Sequence, residues 1–244
     1  MSNTLFETLS AGCISLEADM IIAATVRLVP TGRLVLASSQ SIEDQVLTHI
    51  LCGATPSPRI FTLDTGRLFP ETYETMERTM NRYGFRYELY TPDRRALEAM
   101  LAEHGPNLFY QSSTLRHACC SIRKVEPLRR ALSTADAWIC GLRQGQAVTR
   151  TALSPVEWDK ANNIIKINPL WNWTGDAVRT FIRERKIPYN PLQDQGFPSI
   201  GCQPCTRAVG PDEDIRSGRW WWEAPEHREC GLHRRTTYVS RDRV

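Results

Sequence analysis

No stretch of the 244-residue sequence reaches the ~18 consecutive apolar residues that a membrane span needs. No sign of charge dominates either. Thirty Lys and Arg stand against 27 Asp and Glu, a formal net of +3, which argues against wholesale coating of a nucleic acid and leaves room for a local basic cluster that holds a small anion. Met1 to Leu16 lacks the basic n-region of a secretory signal, and Glu7 and Glu17 lie in or beside it. A cytoplasmic protein is therefore expected. There is no internal repeat and no low-complexity tract, and 14 Gly with 15 Pro is ordinary usage. The G-x-x-x-x-G-K-[ST] phosphate loop is also missing.

What is present is a chain long enough for one large domain, with 41% hydrophobic residues. Short β-branched runs alternate with helical patterns. Gly32–Ala37, Arg59–Leu63, Phe85–Tyr90, Ala137–Cys140 and Ile164–Ile167 read as strands. Helices are expected from Ser41, from Pro70 to Tyr83, from Pro92-Asp93 to about Gly105, over Lys124–Leu132, and from Thr174 to Lys186. Such alternation predicts an α/β fold, a mostly parallel sheet with helices on both faces. Ligands of such sheets bind at the carboxyl ends of the strands, where the strand order reverses, so the loops after Ala37, Leu63 and Cys140 are expected to meet at the site. From Ile187 the regular pattern fades into a proline-punctuated segment containing Trp220-Trp221-Trp222. An α/β domain over residues 1–215 and a C-terminal arm over 216–244 are expected.

Eight cysteines in a chain with no export signal point to metal or thiol chemistry rather than a disulfide framework. Cys119-Cys120 together with Cys202-Gln203-Pro204-Cys205 offer four thiolates, a set that suits an iron–sulfur cluster or a zinc ion. The plainer alternative is two buried cysteines and an accidental C-x-x-C. Cys230, in Arg228-Glu229-Cys230-Gly231-Leu232-His233, lies outside both pairs among cationic neighbours that favour the thiolate, as a nucleophile requires. Cys13, Cys52 and Cys140 sit among Ile, Leu and Trp and read as small buried hydrophobes. Leu36-Ala37-Ser38-Ser39-Gln40-Ser41 joins a strand to a helix N-terminus, a place that holds phosphate or sulfate. Lys124, Arg143, Arg216 and Arg219 could add charge there.

Five blocks carry a family resemblance: Leu63-Asp64-Thr65-Gly66-Arg67-Leu68-Phe69-Pro70-Glu71-Thr72; Cys119-Cys120-Ser121-Ile122-Arg123-Lys124-Val125-Glu126-Pro127-Leu128; Ile200-Gly201-Cys202-Gln203-Pro204-Cys205-Thr206-Arg207; Gly218-Arg219-Trp220-Trp221-Trp222-Glu223; and Glu229-Cys230-Gly231-Leu232-His233. In this order, spread from about residue 33 to His233, they resemble the assimilatory phosphoadenylyl/adenylyl-sulfate reductases, in particular the iron–sulfur branch acting on adenosine 5′-phosphosulfate (APS). The resemblance implies an adenine-nucleotide α-hydrolase type of fold. It implies a [4Fe–4S] cluster on Cys119, Cys120, Cys202 and Cys205, and Cys230 as nucleophile. Lys124, Arg216, Arg219 and His233 would surround the phosphosulfate and the catalytic thiol. Ser38, Ser39, Asp64, Thr65 and Gly66 would cradle the nucleotide. The chain departs from the family pattern in its phosphate loop, Ser39-Gln40-Ser41-Ile42-Glu43-Asp44, and at Cys140-Gly141-Leu142-Arg143, where the family has Thr-Gly-x-Arg.

The implied reaction reduces APS to sulfite and AMP through an S-sulfocysteine, with thioredoxin as electron donor, in sulfate assimilation and cysteine biosynthesis. Glu43 and Asp44, in the first turn beside the anion loop, are expected to repel the extra phosphate of the 3′-phosphorylated relative PAPS. The rival readings are a PAPS reductase that carries a cluster and a non-catalytic, zinc- or cluster-stabilised nucleotide-binding protein. An ATP-pyrophosphatase of the same broad fold would want an S-G-G-x-D-S loop, which is absent. Neither a nucleic-acid nor a membrane partner is expected, and the oligomeric state, a homo-oligomer included, stays open.

Overall fold

A computed structural model describes residues 2–146 and 153–224. Its centre is a six-stranded sheet of β1 (Leu34–Ala37), β2 (Ile60–Leu63), β3 (Glu88–Tyr90), β4 (Ala137–Ile139), β5 (Val156–Asp159) and β6 (Ile164–Ile167), in the order β3-β2-β1-β4-β6-β5. All neighbours pair in parallel except the edge strand β5, which runs antiparallel to β6. The strands are apolar at almost every position because both faces are covered. Leu36, Ile60, Ile139 and Ile165 join the core beneath α1 (Ser2–Cys13), α2 (Ala18–Leu28), α3 (Ile42–Ala54), α4 (Pro70–Tyr83) and α8 (Gly175–Arg185). Their neighbours Val35, Phe61, Trp138 and Ile164 face the opposite core with Leu128 and Leu132 of α7 (Glu126–Leu132). This is the period-two alternation of a pleated strand.

The α/β reading is correct, and four details differ from the sequence expectation, one of them the antiparallel edge strand β5, which it did not foresee. α1 and α2, which it did not foresee, pack on β5 and α3. The third strand is only Glu88–Tyr90, because Phe85 and Tyr87 turn into the core instead, with ring centroids 4.8 Å apart. The helix expected from Lys124 is the end of a longer path. α6 (Ser113–Cys120), capped by Ser112, runs through a wide π turn over Ser121–Val125 into α7. Elsewhere the end signals hold. Asp93 accepts from Ala96 N–H to start α5 (Arg94–His104), and Thr174 accepts from Ala177 N–H to start α8.

Strand order reverses between β1 and β4, and the turn from β1 to α3 opens there. Ser41 caps α3, its Oγ accepting from Asp44 N–H at 3.2 Å. The Asp44 carboxylate reaches back past the cap and takes both the N–H and the hydroxyl of Ser39, each at 2.7 Å. Gln40 completes the turn in the left-handed region, φ 65°, and its buried side chain accepts from Tyr87 Oη–H at 3.1 Å. Burial pushes the Asp44 carboxyl up to about 6, against the Ser39 hydrogen bonds that hold it down, with the charge of Glu43 adding to the rise.

A carboxyl raised in the folded state contributes stability that is complete below its unfolded pKa and is lost as pH climbs through the folded value. For Asp44 that window runs from about 4 to about 6, and the loss is on the order of 3 kcal/mol. Asp44→Asn, neutral in both states, should gain on the wild type across this window, as measured by urea denaturation at pH 4, 5, 6 and 7. A stability difference that stays constant with pH would refute the assignment.

Candidate active site

The carboxyl ends of β1, β2 and β4 open into a cavity of about 280 Å³. The three expected loops meet in it: Ser38, Ser39 and Ser41 after β1, Leu63 and Thr65 after β2, and Cys140 to Arg143 after β4. Phe61, Leu128 and Trp138 give it an apolar wall, and Lys124, Arg216 and Arg219 line it from the later part of the chain. Of the residues expected to touch substrate, Ser38, Ser39, Thr65, Lys124, Arg143, Arg216 and Arg219 thus share one cavity. Asp64 and Gly66 shape its edge rather than line it. The Asp64 carboxylate accepts from Gly66 N–H and from Tyr73 Oη–H, both at 2.8 Å, in a turn where Gly66 has φ 67°. Cys230 and His233 lie outside the described residues.

Arg143 has a buried partner. Its Nε and Nη2 donate to Glu43 Oε1 at 2.9 and 2.8 Å, and its Nη1 donates to the Trp173 carbonyl. The guanidinium and Glu43 therefore offset one another, and Asp44 is the carboxylate of this turn that makes no ion pair among the described residues. The glycine that Cys140-Gly141-Leu142-Arg143 shares with the family pattern has its reason here. A Cβ on Gly141 would stand 2.5 Å from Asp44 Oδ1 and 2.8 Å from Glu43 Cβ, so only glycine lets the β4 end approach the α3 turn. Cys140, where the family has Thr, donates its S–H to Asn168 Oδ1 at 3.0 Å, and burial pushes its thiol up to about 11.

Behind the Lys124 wall is a second, much smaller cavity of about 20 Å³, lined by Cys119, Cys120, Cys202 and Cys205. Neighbouring residues on an α-helix point about 100° apart. Cys119 and Cys120 reach the same cavity because it sits at the end of α6, where the π turn begins. The other pair rides a 3-10 turn, Gln203–Cys205, pinned by Gln203 N–H to the Arg67 carbonyl at 2.8 Å and by Tyr110 Oη–H to the Pro204 carbonyl at 2.7 Å. All four are buried, and none forms a disulfide among the described residues.

Arg67, Arg116, Arg123 and Lys124 also line this cavity. Burial pushes the Cys202 thiol up, yet Lys124, the Thr65 hydroxyl, Arg219 and Arg123 outweigh it and leave the thiol below its ordinary value. Cys205, with burial and the Cys202 charge against it, is pushed up to about 12. Among the described residues no three His, Cys, Asp or Glu converge closely enough to hold a single metal ion. Four cysteine thiols lining one cavity, with cationic side chains around them, are a donor set that thiolate-bound metal centres use.

The first part of the expected arm, residues 216–224, is packed on this cysteine region. Thr206 and Arg219 form an antiparallel bridge, and Trp220 N–H donates to the Cys205 carbonyl at 3.2 Å. Trp220, 1% exposed, lies between two guanidinium groups, with Arg116 and Arg219 each 4.6 Å from its ring. Arg116 in turn grips Glu223 through two hydrogen bonds of 3.0 and 2.7 Å. The sequence reading missed Arg116, Arg123 and Trp220 as site residues. The available signal was position: Arg123 and Trp220 lie inside the blocks that carry the resemblance, while Arg116 lies outside them.

Residues 33–208 match the model of the phosphoadenosine phosphosulfate reductase domain. Relatives include the adenosine 5′-phosphosulfate reductase of Allochromatium vinosum, 52% identical over 202 residues that cover 83% of this chain and 79% of that one. That of Burkholderia cepacia is 49% identical over 81% of this chain and 79% of that one. Among solved structures, a phosphoadenylyl-sulfate (PAPS) reductase from Candida auris in a phosphate complex superposes with a TM-score of 0.70 at 28% identity, covering 84% of this chain and 96% of that chain. The FMN adenylyltransferase of Candida glabrata shares the fold alone, with a TM-score of 0.54 at 16% identity over 90% of this chain and 81% of that one. The fold is thus of the adenine-nucleotide α-hydrolase type, and with a domain match over most of its length the chain belongs to the phosphoadenosine phosphosulfate reductase family.

Proposed function

We propose that this protein reduces adenosine 5′-phosphosulfate to sulfite and AMP, with thioredoxin as the dithiol donor. The observation that carries the proposal is that Lys124 lines both cavities, so that the wall of the nucleotide site is also the wall of the four-cysteine pocket. The names of the curated relatives favour APS as substrate. The apolar wall of Phe61, Leu128 and Trp138 suits the adenine, and Lys124, Arg216 and Arg219 suit the phosphosulfate.

The Cys230 thiolate attacks the sulfur of the bound sulfate group in line with the leaving phosphate. A sulfur–sulfur bond forms, the bond from that sulfur to the bridging oxygen breaks, and AMP departs with that oxygen. Cations along the cavity offset the crowding of negative charge that keeps a thiolate away from a phosphosulfate. A thioredoxin thiolate then attacks Cys230 Sγ and expels sulfite. The second thioredoxin thiol resolves the mixed disulfide, so that sulfur(VI) is reduced to sulfur(IV) as one dithiol is oxidised. His233 stands with Cys230 as a residue of the catalytic thiol's surroundings. Sulfite so made feeds sulfate assimilation toward cysteine, in the cytoplasm.

Cys119, Cys120, Cys202 and Cys205 would hold a [4Fe–4S] cluster. Bound there it supplies a fixed structural and electrostatic centre rather than electrons. Ser38 and Thr65 shape the nucleotide side, Asp64 and Gly66 hold the turn that carries Thr65, and Ser39 presents Asp44 to the cavity. Because Arg143 offsets Glu43, Asp44 is the group that disfavours an added 3′-phosphate.

Three outcomes are expected. After incubation with APS and no dithiol, mass spectrometry should find a sulfonate on the Cys230 peptide, and Cys230→Ser should lower sulfite release roughly a thousandfold or more. No adduct at that position would overturn the mechanism. Steady-state kinetics should give a kcat/KM for APS about tenfold or more above that for PAPS, and equal or better turnover of PAPS would reverse the substrate assignment. Anaerobically purified protein should contain iron and sulfide with visible absorption, lost in Cys205→Ser. A protein that carries zinc alone would remove the cluster.

A further inference from the structure

Gln193 is 8% exposed and lines the large cavity, and its side-chain Oε1 is buried with no hydrogen-bond partner. A buried acceptor left without a partner is costly, and this one belongs to a side chain that lines the cavity, where a bound ligand supplies the missing donor once the amide turns toward it. Its backbone is fixed. Gln193 sits on the 3-10 turn Pro191–Gln195, started by Asn190, whose Oδ1 accepts from Leu192 N–H at 3.0 Å. Asn190 is itself buried, and its Nδ2 donates to Thr72 Oγ1 in the first turn of α4 at 3.1 Å. Upstream, Gln45 of α3 donates to the Pro188 carbonyl at 2.8 Å. The turn is thereby tied to the helices whose N-termini open on the site, and the backbone that carries Gln193 is fixed before any ligand arrives.

We infer that the Gln193 side-chain amide is a substrate-positioning group that hydrogen-bonds a ribose hydroxyl of the bound nucleotide. This rests on the nucleotide reading of the cavity given above. The apolar wall takes the base and the cations take the anionic end, so neither needs a neutral amide. The sugar hydroxyls remain, and each both donates and accepts. A carboxamide matches them because it presents one acceptor and two donors on a single plane, whichever way round its oxygen and nitrogen are placed.

The test uses binding rather than turnover. Calorimetry would compare AMP, 2′-deoxy-AMP and 3′-deoxy-AMP on wild-type holoprotein and on Gln193→Ala. Wild type should bind AMP about tenfold more tightly than one of the two deoxy nucleotides. Gln193→Ala should weaken AMP by about the same factor and bind that deoxy nucleotide no worse than wild type does, so that the two losses are not additive. The melting temperature of the ligand-free variant should not fall appreciably, because the truncation also removes an unpartnered buried acceptor. A purely structural role would lower it instead. Deoxy penalties that persist undiminished in Gln193→Ala would overturn the inference while leaving the nucleotide site intact. Wild type that fails to bind AMP at all would overturn the nucleotide reading and this assignment with it.

Discussion

Charge at one shared wall is the constraint on which the rest of the site depends. Two compartments that favour anions lie back to back: one ringed by four thiols, the other suited to a nucleotide anion. Opposed charges in a partly dry interior attract strongly, and like charges repel as strongly. The arrangement is tolerable only because cations stand between. Lys124 faces both spaces. Arg219 lines the larger one and lowers the Cys202 thiol in the smaller. Gly201 exists at its position because the Arg219 guanidinium occupies the space a side chain would need.

Local backbone geometry serves that wall. The π turn after Cys120 lets one helical path deliver two adjacent cysteines to the small cavity and Lys124 to the boundary. Trp220, held between Arg116 and Arg219, keeps two guanidinium groups apart while using their charge, and Arg116 is itself neutralised by Glu223. The 216–224 segment is therefore part of the wall and not an appendage to it. A buried ion pair is a weak source of net stability, since desolvation offsets much of the attraction. Arg116–Glu223 and Arg143–Glu43 are better understood as fixing where a helix end and a loop must sit.

The turn at β1 shows the same economy of polar groups. Asp44 takes the Ser39 donors and Arg143 takes Glu43, so of the two acids expected to repel an added phosphate Glu43 is offset by a cation and Asp44 is not. That difference arises because Arg143 comes from 100 residues away in sequence. Sequence spacing carries no information about such a partner. Asn190, Thr72 and Gln193 are likewise joined across distant segments, and of the three only Thr72 falls in a block the sequence singles out.

The sequence by itself determined the alternation of apolar strands and capped helices, the loops that would meet at the carboxyl ends, and the two cysteine pairs with the motifs around them. Those features are local: strand alternation, an N-cap hydroxyl and a C-x-x-C spacing each act within a few residues. Tertiary structure decided which face of Cys119-Cys120 counts, that α1 and α2 cover β5 and α3, that Arg143 is spent on Glu43, and that Lys124 stands between two cavities. Each of these depends on which distant side chain fills the space opposite, and that is set only when the sheet order brings β1 beside β4 and the late loops fold over their ends.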